Sequence, residues 1–168
     1  MNKKPLTTTQ RFMQKIAASK PGAWFMARTQ HHLDRIIFKL SGGRTTLAGM
    51  LTGIPVVVLA NKGAKSGLIR TIPLLCIIDE EQPSTLALVA SNFGQLHNPA
   101  WYYNLKANPE ATCTLDGISR SYIAREAKGE EYEKFWNCAL DVYIGFPSYK
   151  LRAGDRHIPI MLMEPVSS

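Results

Sequence analysis

Cysteine is scarce in this chain. Cys76, Cys113 and Cys138 are the only three in 168 residues. An odd number without metal-like spacing excludes a disulfide framework and points to a reducing compartment, the cytoplasm. Cys76 and Cys113 lie in strand-like runs and read as small core hydrophobes. HExxH, paired cysteines and close His/Asp/Glu clusters are all missing, so no metal is expected. The phosphate-binding Walker sequence and the dinucleotide glycine fingerprint are missing too. Ser66 and Ser91 lack the strand–turn–helix setting of a hydrolase nucleophile. Long apolar runs are lacking: Leu47 to Ala60, about 14 residues with two glycines and a proline, is too short to span a bilayer. MNKKPLTTTQ has no apolar stretch of the kind a secretory signal needs. Acidic residues are in the minority, 13 against 20 lysines and arginines, for a net charge of +7. That balance suits anionic ligands or membrane surfaces. The lysines are scattered and no recognition motif accompanies them, so nucleic acid is not an expected partner.

The order of elements is legible from periodicity. Residues 7–40 read as a helical extension broken at Pro21-Gly22, with Phe12, Ile16, Trp24, Phe25, Leu33, Ile36, Ile37 and Leu40 in a rough apolar stripe. Lys15, Lys20, Arg28, Arg35 and Lys39 flank it. The stripe would pack on the rest of the chain or a second subunit, as in a homodimer, or lie on the inner face of an anionic membrane. His31-His32 would face water. Ser41-Gly42-Gly43 ends the extension. Residues 41–168 read as one domain. Ile54–Ala60 is a β-branched run, Asn61–Gly67 a polar turn, Leu68–Ile78 a second run and Thr85–Ser91 a third. Asn98-Pro99 reads as N-cap and first residue of a short helix that ends before Pro109. Ala111–Leu115 and Ile118–Ala127 flank the hairpin turn Asp116-Gly117. Glu130–Tyr143 reads as a helix, the segment with Gly145 and Pro147 as a loop, and His157–Met163 as a last strand. About six mostly antiparallel strands with an N-terminal helix and two further helices fit a sheet that closes on itself.

Three groups of residues could carry function. Lys62, Lys65, Ser66 and Arg70, with Gly63 and Gly67 allowing close backbone approach, could hold an anion at a hairpin tip; the alternative is a solvated turn. His97–Tyr103 pairs a helix start with Trp101, Tyr102 and Tyr103, rings that could stack on a ligand or fill the core. His97 has no evident acid or serine partner. Tyr143, Phe146 and Tyr149 could wall a pocket or form a satellite cluster. The absence of acid–base machinery is itself informative, because hydride transfer leaves the hard chemistry to a cofactor.

KGAKSGLIRTIPLL resembles the K-x-S-G-x-x-R-x-x-P-L stretch of the deazaflavin-dependent nitroreductase family, and NPAWYYNLKANPEAT resembles that family's block N/H-P-A-W-Y-x-N-L-x-A-N-P. SGGR at 41–44 and IPIMLMEP at 158–165 are also similar to family segments. The resemblance implies a split β-barrel binding coenzyme F420, a flat tricyclic ring with a phosphate and an oligoglutamate tail. It implies hydride transfer to quinones and, in some members, to activated nitro compounds. Lys62, Lys65, Ser66, Gly67, Arg70, Thr71 and Pro73 would then hold the phosphate and tail. Ala90, Ser91 and Asn92 would face the ring near Trp101. Tyr143 and Tyr149 would orient the acceptor and donate a proton, with Ser91 beside the reacting ring. Relatives often carry S-K-G-G where this chain has Ser91-Asn92-Phe93-Gly94, and Phe146 stands where some nitro-reducing members have tyrosine. The alternatives are an FMN-dependent reductase on the same barrel, or a non-catalytic carrier of a lipid or cofactor.

Overall fold

The structure, a computed structural model, describes residues 53–78 and 81–166, with isolated positions between 7 and 22. The break expected at Pro21-Gly22 falls earlier: Ser19 is the bend, its Oγ accepting from the Gly22 N–H at 3.1 Å, and Pro21 and Gly22 are helical. Most of the N-terminal extension, including His31-His32 and the Ser41-Gly42-Gly43 stop, lies outside the described residues. Of its apolar stripe, Phe12 and Ile16 are described and both are exposed.

Among the described residues there are seven strands: β1 (Val56–Lys62), β2 (Ile69–Leu75), β3 (Ile77–Ile78), β4 (Leu86–Val89), β5 (Glu110–Leu115), β6 (Ile118–Glu126) and β7 (Ile160–Pro165). The α-helices α1 (Ala100–Ala107), α2 (Gly129–Val142) and α3 (Phe146–Ala153) accompany them, with a 3-10 turn at Asn92–Gly94, and the described positions 8, 12, 14–16, 21 and 22 are helical as well. All pairings are antiparallel.

The strand order is β2-β1-β5-β6-β7-β4-β3. Its two ends, β2 and β3, are separated in sequence by Cys76 alone. One residue cannot cross the breadth of a flat sheet, so the sheet must curl until its edges meet. This gives the split barrel. It also explains the first difference from the sequence reading: the single run expected at Leu68–Ile78 serves both edges and breaks at Cys76, whose N–H is held by the Pro55 carbonyl at 3.0 Å. Seven strands therefore stand where about six were expected. Pro73 is tolerated because β2 ends the strand order and, among the described residues, its outer side has no ladder partner. Asp116 and Gly117, at φ 50° and 80°, form the expected tight hairpin turn.

A second difference is α3. The segment read as a loop is a helix, because Pro147 lies in its first turn, where a missing N–H costs nothing. A third is β7, which starts at Ile160 rather than at His157.

Two apolar clusters lie on opposite faces of the sheet. Val57, Leu59, Cys113, Tyr122, Met161 and Met163 fill the barrel, joined by Trp101 and Leu105 of α1. Outside it, Phe135, Trp136, Ala139, Tyr143, Phe146 and Tyr149 of α2 and its successor pack on Ile77, Ala87, Ile160 and Leu162. Successive β7 side chains thus enter different clusters, which is why Ile160 to Met163 are all buried rather than alternating.

Candidate functional site

The hairpin tip between β1 and β2 is built from its own backbone. Gly63 donates to the Leu68 carbonyl and Gly67 to the Gly63 carbonyl, each at 2.9 Å. Ser66 Oγ accepts from the Leu68 N–H at 3.3 Å, which leaves the Ser66 hydroxyl proton for another acceptor. Gly67, at φ 66°, supplies the left-handed turn. Lys62, Lys65 and Arg70 are exposed and form no ion pair among the described residues. By contrast, Arg125 bridges Glu131 and Glu164, and Lys134 meets Glu81.

This tip docks on α1. The Ala64 N–H donates to Asn104 Oδ1 at 3.0 Å, and Asn108 Nδ2 to the Lys62 carbonyl at 3.5 Å. Asn61, 1 % exposed, donates from Nδ2 to the Trp101 carbonyl at 3.1 Å. The cationic hairpin and the aromatic helix therefore converge. Of the three rings, Trp101 is core and Tyr103 is exposed. Strand alternation sorts the remaining residues. Arg70 pairs with Asn61 and shares its face of the sheet, toward α1. Thr71 pairs with Ala60 and Pro73 with Val58, so both lie on the opposite face, with Lys62. The tip is thus bracketed by cations from both sides.

Tyr102 lies between α1 and β6. Its hydroxyl donates to Glu126 Oε2 at 3.1 Å, and Lys106 Nζ reaches the same oxygen at 3.0 Å. Burial and the nearby carboxylate push the Tyr102 phenol up to about 12. For Glu126, burial alone would raise the carboxyl, but the hydrogen bonds from Lys106 and Tyr102 outweigh it, leaving Glu126 below its ordinary value. A group depressed by folding contributes stability that is complete above its unfolded pKa and lost as pH falls through the folded one. Glu126→Gln is therefore expected to be modestly less stable than wild type at pH 7, by less than about 1 kcal/mol. The gap should close as acid protonates wild-type Glu126, and urea midpoints measured from pH 7 to pH 3 would show whether it does.

The Ser91–Asn98 loop enters α1 from the other end. Asn98 was expected to cap the helix, but Pro99 occupies the cap and no side chain bonds there. The Asn98 amide oxygen is instead taken by Arg156 Nη1. Arg156 gave no signal in the sequence, since nothing marks a lone loop arginine, yet it organises this region. Its Nε donates to the Gln95 carbonyl at 2.8 Å, Nη1 to that of Ala90 at 3.2 Å and Nη2 to that of Ser91 at 2.7 Å. Asn92 Nδ2 closes the loop on the His97 carbonyl at 2.9 Å.

Ser91 is right-handed helical (φ −66°, ψ −32°), whereas Asn92 and Phe93 are left-handed at φ 47° and 56°. A right-to-left sequence of this kind turns consecutive N–H groups into one concavity that suits an anion or an electron-rich oxygen. The N–H groups of Ser91 and Asn92 have no acceptor among the described residues. Left-handed backbone is cheap for asparagine and costs about 1 kcal/mol or more for phenylalanine. Phe93 is held there by an edge contact with Tyr149 at 5.9 Å and by Arg152 Nε on its carbonyl at 3.4 Å. Gly94, at φ 79°, lies so close to α3 that a Cβ would sit 2.8 Å from the Tyr149 carbonyl oxygen.

Tyr143 and Tyr149 are brought together beneath this loop, but facing each other. Their hydroxyls are 2.9 Å apart, and the residues are 3 % and 4 % exposed. Burial raises both phenols, that of Tyr149 well above the ordinary value. Both stay protonated at neutral pH, packed with Phe146. Among the described residues no cluster of His, Cys, Asp and Glu could hold a metal ion.

α1 joins these parts. Eight residues at 1.5 Å each make it about 12 Å long. The upturned N–H groups precede its first turn in sequence, and the hairpin tip that carries the unpaired cations bonds to Asn104 and Asn108 toward its C-terminal end. The arrangement suits a ligand with a polar, electron-rich head and a separate anionic tail.

Comparison with known proteins bears on this geometry. The family model described as F420H(2)-dependent quinone reductase matches residues 27–165. Rv3178 of Mycobacterium tuberculosis, provisionally described as an F420H(2)-dependent quinone reductase, is 32 % identical over 118 residues, covering 70 % of this chain and 96 % of its own. The F420H(2)-dependent quinone reductase Rv1261c of the same species is 27 % identical over 112 residues, 65 % of this chain and 72 % of its own. Among solved structures, F420-H2 Dependent Reductase (FDR-A) superposes with a TM-score of 0.58 at 36 % identity, covering 66 % of this chain and 94 % of that one. A chain described as a domain-swapped dimer reaches a TM-score of 0.61 at 30 % identity, covering 86 % and 100 %.

Proposed function

The chain belongs to the F420H(2)-dependent quinone reductase family, and from that membership we propose that it is an oxidoreductase passing a hydride from reduced F420 to a quinone. The observation that carries this reading is a hairpin tip with cations unpaired among the described residues, docked on the C-terminal half of α1, together with acceptor-free amides in the loop before that helix. It fits a phosphorylated, acid-tailed cofactor with a flat polar head. When bound, F420 supplies the hydride. Lys62, Lys65 and Arg70 hold the phosphate and tail, and the Ser66 hydroxyl donates to them. Gly67 keeps the tip tight, while Thr71 and Pro73 shape the face that Lys62 shares. Ala90, buried, sets the strand end, and the N–H groups of Ser91 and Asn92 point at electron-rich oxygen of the head or the acceptor. Trp101 contributes from the core, as the anchor of α1. A nitro acceptor is a further substrate class on this reading.

A quinone takes up a proton as well as the hydride. Tyr149 packs on Phe93 of the loop and is bonded to Tyr143, so both phenols are enclosed. On this reading they fix α3 beneath Phe93, and the proton comes from solvent. Tyr143→Phe and Tyr149→Phe are expected to keep kcat within about threefold of wild type with an unchanged pH profile; a loss nearer a hundredfold would make one of them the proton donor.

A homodimer is proposed as the working assembly, since one solved structure of 30 % identity is described as a dimer. Contact of the N-terminal extension with the inner face of the membrane, where quinones dissolve, is a further proposal. No described helix is long and apolar enough to cross a membrane.

The deciding experiment titrates the purified protein with oxidised F420 and, separately, FMN. It then follows cofactor absorbance after mixing with reduced F420 and menadione. Binding of F420 in preference to FMN, with reoxidation that depends on menadione, is expected. Binding of FMN alone would move the protein to the flavin alternative, and binding of neither would leave a carrier.

A further inference from the structure

We propose that Arg156 is the positioning residue of this site, pinning the carbonyls of Ala90, Ser91 and Gln95 on one side of the loop so that the N–H groups of Ser91 and Asn92 face the ligand. The argument rests on peptide geometry. In a trans peptide the C=O and N–H point in opposite directions, and the described chain contains no cis bond. The Ala90 carbonyl is fixed toward Arg156 Nη1 and the Ser91 carbonyl toward Nη2. The next N–H in each peptide, of Ser91 and then of Asn92, is therefore fixed away from the guanidinium. The Gln95 carbonyl and the Asn98 amide oxygen anchor the far limb of the same loop.

Every nitrogen of this guanidinium is engaged by the loop, and among the described residues it meets no carboxylate. It neither neutralises an acid nor offers a spare fork to an anion. Its bonds converge on one loop of awkward backbone, with Asn92 and Phe93 both left-handed. A planar fork suits this task, whereas the ammonium of lysine cannot reach several acceptors in one plane. The spacing of acceptors at residues 90, 91, 95 and 98 explains why the loop holds its shape without a regular hydrogen-bond ladder.

The inference deepens the reductase reading and is tested so that the two can fail separately. Arg156→Ala and Arg156→Lys are compared with wild type and with Arg125→Ala, which loses an exposed ion-pair network away from the loop. Hydrogen exchange of the ligand-free proteins is the first measurement. Arg156→Ala is expected to speed exchange in 90–98, where Gly94 and Gln95 donate to the Ser91 and Asn92 carbonyls, while β5, β6 and α2 keep their protection. F420 titration is the second. The dissociation constant is expected to rise at least ~tenfold in Arg156→Ala. It should fall part-way back in millimolar guanidinium, with Arg156→Lys intermediate and Arg125→Ala unchanged. Unchanged exchange in 90–98 would overturn the proposal. So would exchange that rises evenly over the whole chain, which marks a general stability loss. Should Arg156→Ala fail to fold, Arg156→Lys keeps the charge without the fork and is read in the same two ways. Wild-type protein that ignores F420 would sink the cofactor assignment, while the exchange measurement would still decide the role of Arg156.

Discussion

Replacing Lys62, Lys65 and Arg70 together by glutamine is expected to weaken F420 binding by about a hundredfold or more and to leave folding stability almost untouched. The two halves of that expectation have separate origins. All three side chains are exposed and unpaired among the described residues, so their removal breaks no internal bond. Surface changes of this kind stay within about 0.5 kcal/mol. Each cation facing a phosphate or carboxylate contributes about 1 kcal/mol to binding, and three together give two decades. Exposed charges are screened, so the wild-type dissociation constant should rise steeply between low and physiological salt, while the triple variant stays nearly flat. A deazaflavin without phosphate or tail should bind wild type and variant alike. If the variant lost affinity equally for that truncated ring, the cations would not be reading the tail, and the assignment of the hairpin would fail.

The second large effect is on stability. Trp101→Ala is expected to cost about 3–5 kcal/mol, because the indole is 5 % exposed and closes the barrel beside Leu105. Its loss also loosens the carbonyl held by Asn61 Nδ2. Tyr103→Ala, two residues away but 51 % exposed, is the control and should cost well under 1 kcal/mol. Urea unfolding of both would distinguish core from ligand contact. A Trp101 variant of normal stability that failed only to bind cofactor would show that the ring stacks on the ligand instead.

Local chemistry made much of this legible from the chain alone. Asp116-Gly117 needs left-handed backbone and obtains it in a hairpin, a preference that needs no distant partner. Tyr132, Phe135, Trp136 and Ala139 follow a helical period, and α2 buries three of them and half-buries Tyr132. The blocks around Ser66 and Trp101 carried the family resemblance in sequence order.

Pro147 was misread because a proline marks a break or a first turn equally well, and only the packing of Phe146 and Tyr149 chooses between them. Asn98 was misread as a cap because an asparagine before a proline is also a hydrogen-bond acceptor for whatever lies across the fold. Here that is an arginine 58 residues later.

Most strands and turns, the charge at the hairpin tip and the family are written in the chain, because they depend on neighbours a few residues apart or on motifs read in order. Folding alone brings β2 and β3 together as the two edges of one curled sheet, sets Tyr143 against Tyr149 and ties Arg156 to the loop before α1. Those contacts join groups far apart in the chain. Which acceptor a donor finds is settled by closure of the sheet, and periodicity and composition carry no record of that.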